Sequence, residues 1–108
     1  MTDTLKLSKT LETLSGDKVE EIKFDFSTLT PLDYRNIVRL ESRLKGIAVE
    51  PDVSSIKITS SEFRMATAWV AAVNVADNKI CFDDIDRLSL ADLLKLEQIG
   101  VFFIADVV

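Results

Sequence analysis

Ser15-Gly16-Asp17-Lys18-Val19-Glu20-Glu21-Ile22-Lys23-Phe24-Asp25-Phe26 is the stretch that decides the fold class. Ile22, Phe24 and Phe26 fall on one face of an extended chain and Glu21, Lys23 and Asp25 on the other, which is the period of a half-buried strand. Ser15-Gly16-Asp17 reads as the turn before it, where glycine supplies the positive φ that a hairpin needs. Upstream, Leu5-Lys6-Leu7-Ser8-Lys9 starts with the same alternation. The two runs predict an antiparallel hairpin with residues near Leu7 facing Phe24. A lone hairpin is marginal in water, so its apolar face must lie against other elements.

Those elements read as helices. Thr30-Pro31-Leu32-Asp33 combines a capping hydroxyl, a proline suited to the first helical position and an acid at the positive end of the helix. Tyr34, Ile37, Val38, Glu41 and Leu44 follow at helical spacing, Leu40 broadens the apolar stripe, and Gly46 is a natural stop. Residues 47–58 read as a connector, with a short extended piece at Ile56-Lys57-Ile58. Thr59-Ser60-Ser61-Glu62 has capping-box spacing. It opens a helix over 63–76 that is apolar nearly all round, as expected of a helix at the centre of a fold. Asp77-Asn78-Lys79 reads as a turn. Ser89 then caps a last helix carrying Leu93, Leu94, Leu96, Ile99, Phe102 and Phe103, interrupted or ended by Gly100. The expected architecture is α+β: one domain over 1–108, with an N-terminal hairpin followed by about three helices and the mostly apolar one in the middle.

Composition bounds the function. The chain has 108 residues, 47% of them hydrophobic and 29% charged. On folding, roughly two thirds of its surface would be buried, enough for a core without disulfides. Thirteen basic against eighteen acidic residues leave a net charge of −5. That balance opposes a non-specific nucleic-acid surface. The absence of histidine removes histidine-based acid–base catalysis and histidine-bearing metal sites. Met1 to Leu14 has no apolar export region, and no uncharged run approaches the ~20 residues needed to span a bilayer. Together with a single cysteine, this reads as a cytoplasmic protein with no membrane contact.

Candidate chemistry is sparse. Asp83, Asp84 and Asp86 lack the spacing of a calcium loop, so they read as turn-capping and solvated carboxylates. Cys81, with no histidine to serve as base, reads as a buried inert thiol. Gly16, Gly46 and Gly100 share no phosphate-loop motif. The expectation is a non-enzyme without cofactor or metal. Arg35, Arg39 and Arg43 recur every fourth residue and form a basic stripe. It reads as a solvated face, or as one that meets the Asp83–Asp86 segment of a neighbouring copy. The apolar run from Ile99 to Val108 is either the end of the core or a surface that another chain covers. Adjacent helical residues point about 100° apart. On that ground Phe103 is assigned to a binding surface and Phe102 to the core.

The order of pieces resembles a known family. The strand pair from Leu5 to Phe26 comes first, then Thr30-Pro31-Leu32-Asp33-Tyr34 and an alanine-rich helix. The close is Phe82-Asp83-Asp84-Ile85-Asp86-Arg87-Leu88-Ser89-Leu90-Ala91-Asp92-Leu93-Leu94, running into Val101-Phe102-Phe103. Over nearly the whole chain this resembles the small tail assembly chaperones of long-tailed bacteriophages and prophages. The resemblance implies a non-catalytic factor that coats the helical tape-measure protein and hands it over as tail-tube subunits polymerise. It also implies absence from the finished virion, and many such chaperones are also made in a longer, frameshifted form. Its partners would be the tape-measure protein, the tail-tube protein and further copies of itself, with no nucleic acid and no membrane. The family carries no catalytic residues, so the site residues rest on local physics: Phe103, Ile104, Val107 and Val108, with Arg35, Arg39, Arg43, Asp83, Asp84 and Asp86. The apolar 63–76 helix and the C-terminal run would together supply the client groove. The alternative is a small acidic inhibitor or adaptor that binds one globular partner.

Overall fold

The computed structural model describes residues 2–46 and 60–107. Strands β1 (Thr2–Glu12) and β2 (Lys18–Asp25) form an antiparallel hairpin. They are followed by α1 (Pro31–Leu44), α2 (Ser61–Val73) and α3 (Leu90–Val107), with short 3-10 turns at Phe26–Thr28, Ala76–Asn78 and Phe82–Arg87. The α+β architecture expected from the sequence is present. Gly16 makes the hairpin turn with φ of 93°. The connector and its extended piece at Ile56-Lys57-Ile58 lie outside the described residues.

Helix α2 is the common neighbour of α1, α3 and β2, and α3 also lies against β1. Ala66, Ala68, Trp69, Val70, Ala71 and Ala72 are all at 0% exposure. The alanines explain the position: small side chains let three elements approach one helix at once. Leu11, Ile22 and Phe24 come down from the sheet onto the same core. The Trp69 indole is fully enclosed, and its Nε1–H donates to the carbonyl oxygens of Cys81 and Phe82, both at 3.2 Å.

Five local expectations change. The first is the hairpin register. Phe24 faces Asp3 rather than Leu7, because the register shifts between Lys6 and Leu11. Lys6 pairs with Glu21 and Leu11 with Val19, so residues 7–10 of β1 bulge opposite Glu20 alone. The second is the cap of α2, which is Ser60, accepting from the Phe63 amide at 3.1 Å, one residue after the hydroxyl expected. The third is the end of α2 at Val73. There Asn74 closes the helix, and the chain tightens into a 3-10 turn that leaves Lys79 at φ 55°.

The fourth change concerns Gly100, which neither interrupts nor ends α3. It sits within the helix where α3 crosses α2, and a Cβ there would lie 2.2 Å from the backbone oxygen of Arg64. Its role is close approach, not a break. The helix therefore continues in phase as far as Val107. Cys81 also departs from expectation: its carbonyl turns inward to Trp69, and the thiol residue is exposed.

Candidate functional site

Two surfaces hold the residues singled out above. The first joins α1 to the 3-10 turn Phe82–Arg87. In a 3-10 helix, side chains three apart eclipse each other, so Asp83 and Asp86 point the same way. One guanidinium then spans both: Arg43 Nη1 donates to Asp83 and Nη2 to Asp86. The hydrogen bond that Arg43 donates to Asp83 is the chief reason its proton is held more tightly than usual, with the one donated to Asp86 adding to it against partial burial. The opposed charges thus meet within one chain, and the expected contact between copies through them is not needed to satisfy Arg43. Beside this fork lies a shallow cavity of about 230 Å³ lined by Asn36, Arg39, Leu40, Arg43 and Phe82. The first four stand at i, i+3, i+4 and i+7, one face of α1. Arg35 is exposed on the same helix but outside that lining.

Asp84 belongs elsewhere. Its side chain is 1% exposed and accepts from the Leu14 amide at 2.8 Å and the Cys81 amide at 2.9 Å. Burial alone would push its carboxyl up. The amides of Cys81 and Leu14 outweigh burial and hold it below the usual carboxylate range. The assignment of Asp84 to a partner surface is therefore corrected: it ties the hairpin turn to the C-terminal half.

Sequence reasoning gave Asp92 no role beyond the cap region, yet it is the more heavily engaged carboxylate. It is 0% exposed and accepts from the Ser8 amide and hydroxyl at 2.9 Å each, the Lys9 amide at 3.3 Å and the Ser89 hydroxyl at 2.9 Å. The β1 bulge releases the Ser8 and Lys9 amides from the ladder, and Asp92 takes them. Here too burial opposes ionisation, and the Ser8 and Ser89 bonds prevail, lowering the pKa.

The second surface is α3. Leu96, Ile99, Gly100 and Phe103 stand at i, i+3, i+4 and i+7 and turn inward, with Phe103 half-buried. The Phe103 ring stacks on Phe26 at 4.3 Å between centroids and 10° between planes. Ile104 is also half-buried against the core. Phe102, one residue out of phase, is 66% exposed. The assignments of Phe102 and Phe103 are thus exchanged, because the helix runs unbroken through Gly100 and brings Phe103 under Phe26. Val107 lies in the last turn of α3 with its side chain outside the described part, and Val108 lies outside the described residues.

The outer face of α3 was not anticipated. Leu90 is 71%, Leu94 49% and Phe102 66% exposed, with Ala91 and Gln98 open between them and Val101 half-buried beside them. Of the six exposed residues between 90 and 104, only Lys95 is charged. The signal was available: once Leu96, Ile99 and Phe103 are read as one inner face, Leu90, Leu94 and Phe102 must point away. By contrast α2, expected to help form a groove, has Phe63 and residues 65–72 buried in the core.

Among the described residues no helix is long and apolar enough to cross a membrane, and no three His, Cys, Asp or Glu side chains gather as a metal site. No protein-family model matches the sequence, and no curated protein or solved structure is significantly similar to it.

Proposed function

We propose that this chain is a non-enzymatic tail assembly chaperone of the bacteriophage type. It acts in the host cytoplasm on the tape-measure protein and promotes assembly of the tail tube. The observation that carries this reading is the exposed, almost uncharged outer face of α3 on a protein of net charge −5. A helix face of about 18 Å, running over Leu90, Leu94 and Phe102, suits another helix laid along it. The acidic remainder keeps a client coated by many copies dispersed. The order of hairpin, capped helix, alanine-rich helix and leucine-rich helix supports the same reading.

The test is co-expression with a neighbouring reading frame that encodes a very long helical protein. The wild-type chain should co-purify with it in many copies. Phe102→Asp should leave the circular dichroism intact and reduce capture at least about tenfold, since a charge would sit against an apolar partner. Undiminished capture by Phe102→Asp would take α3 out of the client site. The cavity lined by Asn36, Leu40 and Phe82 on the outer side of α1 favours a second reading, an adaptor that binds one globular partner. Stoichiometry separates the two: a fixed small ratio belongs to the adaptor, many copies per client to the chaperone.

A further inference from the structure

We infer that the outer face of α3 pairs with the same face of a second copy of this chain, the two helices lying antiparallel about Gln98. This rests on the reading of α3 as a protein-binding face and adds a competing occupant that covers it when no client is present.

Three observations select a second copy. The first is charge. Two molecules of net charge −5 repel over most of their surfaces. The exposed residues of α3 between 90 and 104 include no acid, and Glu97 at the margin is held by Arg64 at 3.0 Å. This is a face on which two acidic copies can approach with little repulsion.

The second is self-complementarity. With Gln98 on the two-fold axis, Leu94 of one copy lies opposite Phe102 of the other, four residues to either side. Both are exposed in the single chain, at 49% and 66%. Lys95 and Phe102 lie about 20° apart around the helix, on the same flank. An antiparallel pair sets like flanks together, so each Lys95 ammonium comes over a Phe102 ring of the other copy, a favourable cation–π arrangement. The amide side chains of the two Gln98 residues meet at the axis, where each can donate to the other.

The third is area. Leu90, Ala91, Leu94, Lys95, Gln98 and Phe102 together offer on the order of 500 Å² per copy, so the pair buries roughly 1,000 Å², the lower end for specific association. The dimer is accordingly weak and exchangeable, as a cover that a client must displace has to be.

The experiment uses purified chain without client, so that self-pairing and client binding fail separately. Sedimentation over a concentration series up to several hundred micromolar should show a reversible monomer–dimer equilibrium. Leu94→Glu should raise its dissociation constant at least about tenfold with unchanged circular dichroism, because the residue is exposed. In a Cys81→Ser background, Gln98→Cys should form a disulfide-linked dimer on mild oxidation. Leu14→Cys, exposed on the hairpin turn, should not. The cross-linking pair keeps the test decisive if Leu94→Glu fails to fold. A monomer at several hundred micromolar, a dimer indifferent to Leu94→Glu, or cross-linking no greater at Gln98→Cys than at Leu14→Cys would each overturn the pairing.

Discussion

Gly100 shows how one residue decides the reading of a whole segment. From sequence, a glycine near the end of a leucine-rich run is a stop or a break, because its backbone is permissive. In the fold its lack of a Cβ matters more than its freedom. The Arg64 carbonyl carbon and oxygen of α2 would lie 2.7 and 2.2 Å from a Cβ at that position. Both atoms are backbone, so neither can swing aside, and Gly100→Ala must push α3 off α2. The expected loss is about 1–3 kcal/mol, read from denaturant unfolding, whereas Gln98→Ala on the opposite face should change stability by less than about 0.5 kcal/mol. Equal effects would mean that the two helices do not cross at Gly100.

At the scale of elements, the hairpin is completed by side chains from the far end of the chain. A two-stranded sheet has two open edges and little stability of its own. Asp92 takes the amides of the β1 bulge, and Asp84 takes the amide of Leu14 beyond β1. Asn78 mimics a third strand on β2: its Oδ1 accepts from the Lys23 amide at 2.9 Å, and its Nδ2 donates to the Lys23 carbonyl at 2.6 Å. Both carboxylates have pKa values lowered in the folded state. Groups of that kind contribute stability that is fully present above the unfolded carboxylate pKa, about 3.9, and is lost as pH falls through the lower folded value. Stability should therefore hold from neutrality to about pH 5 and fall steeply below about pH 4. Asp92→Asn should lower stability at pH 7 by about 2–3 kcal/mol and flatten the acid limb of a Tm-against-pH curve. An acid limb of unchanged steepness would mean that Asp92 is not the titrating group.

For the whole molecule, the question is which charges and apolar residues remain for partners. The fork of Arg43 on Asp83 and Asp86 is on the surface, where ion pairs contribute little. Arg43→Ala should change stability by less than about 1 kcal/mol in a salt-dependent way and leave α3-mediated association untouched. Loss of association in that variant, in low and high salt alike, would return the basic stripe to the interface. The hairpin, its turn at Gly16, the Thr30 cap of α1 and the central place of α2 were legible in the sequence, because each is written in local periodicity, capping chemistry or composition. The candidate site was less so. Arg43, Asp83 and Asp86 could be named, but not that they satisfy one another. Asp84 and Asp92 look like surface acids, although the structure buries both. Phe102 and Phe103 are chemically alike, and only their phase on an unbroken α3 separates them. The sequence by itself determined the hairpin, the three helices and the Thr30 cap of α1, since these depend on neighbours within a few residues. Only the tertiary structure decided the bulge register, the role of Gly100 and the face of α3 left to solvent. Each of these depends on contacts between segments 36 to 84 residues apart, between Gly100 and Arg64 and between Ser8 and Asp92, which no local pattern encodes.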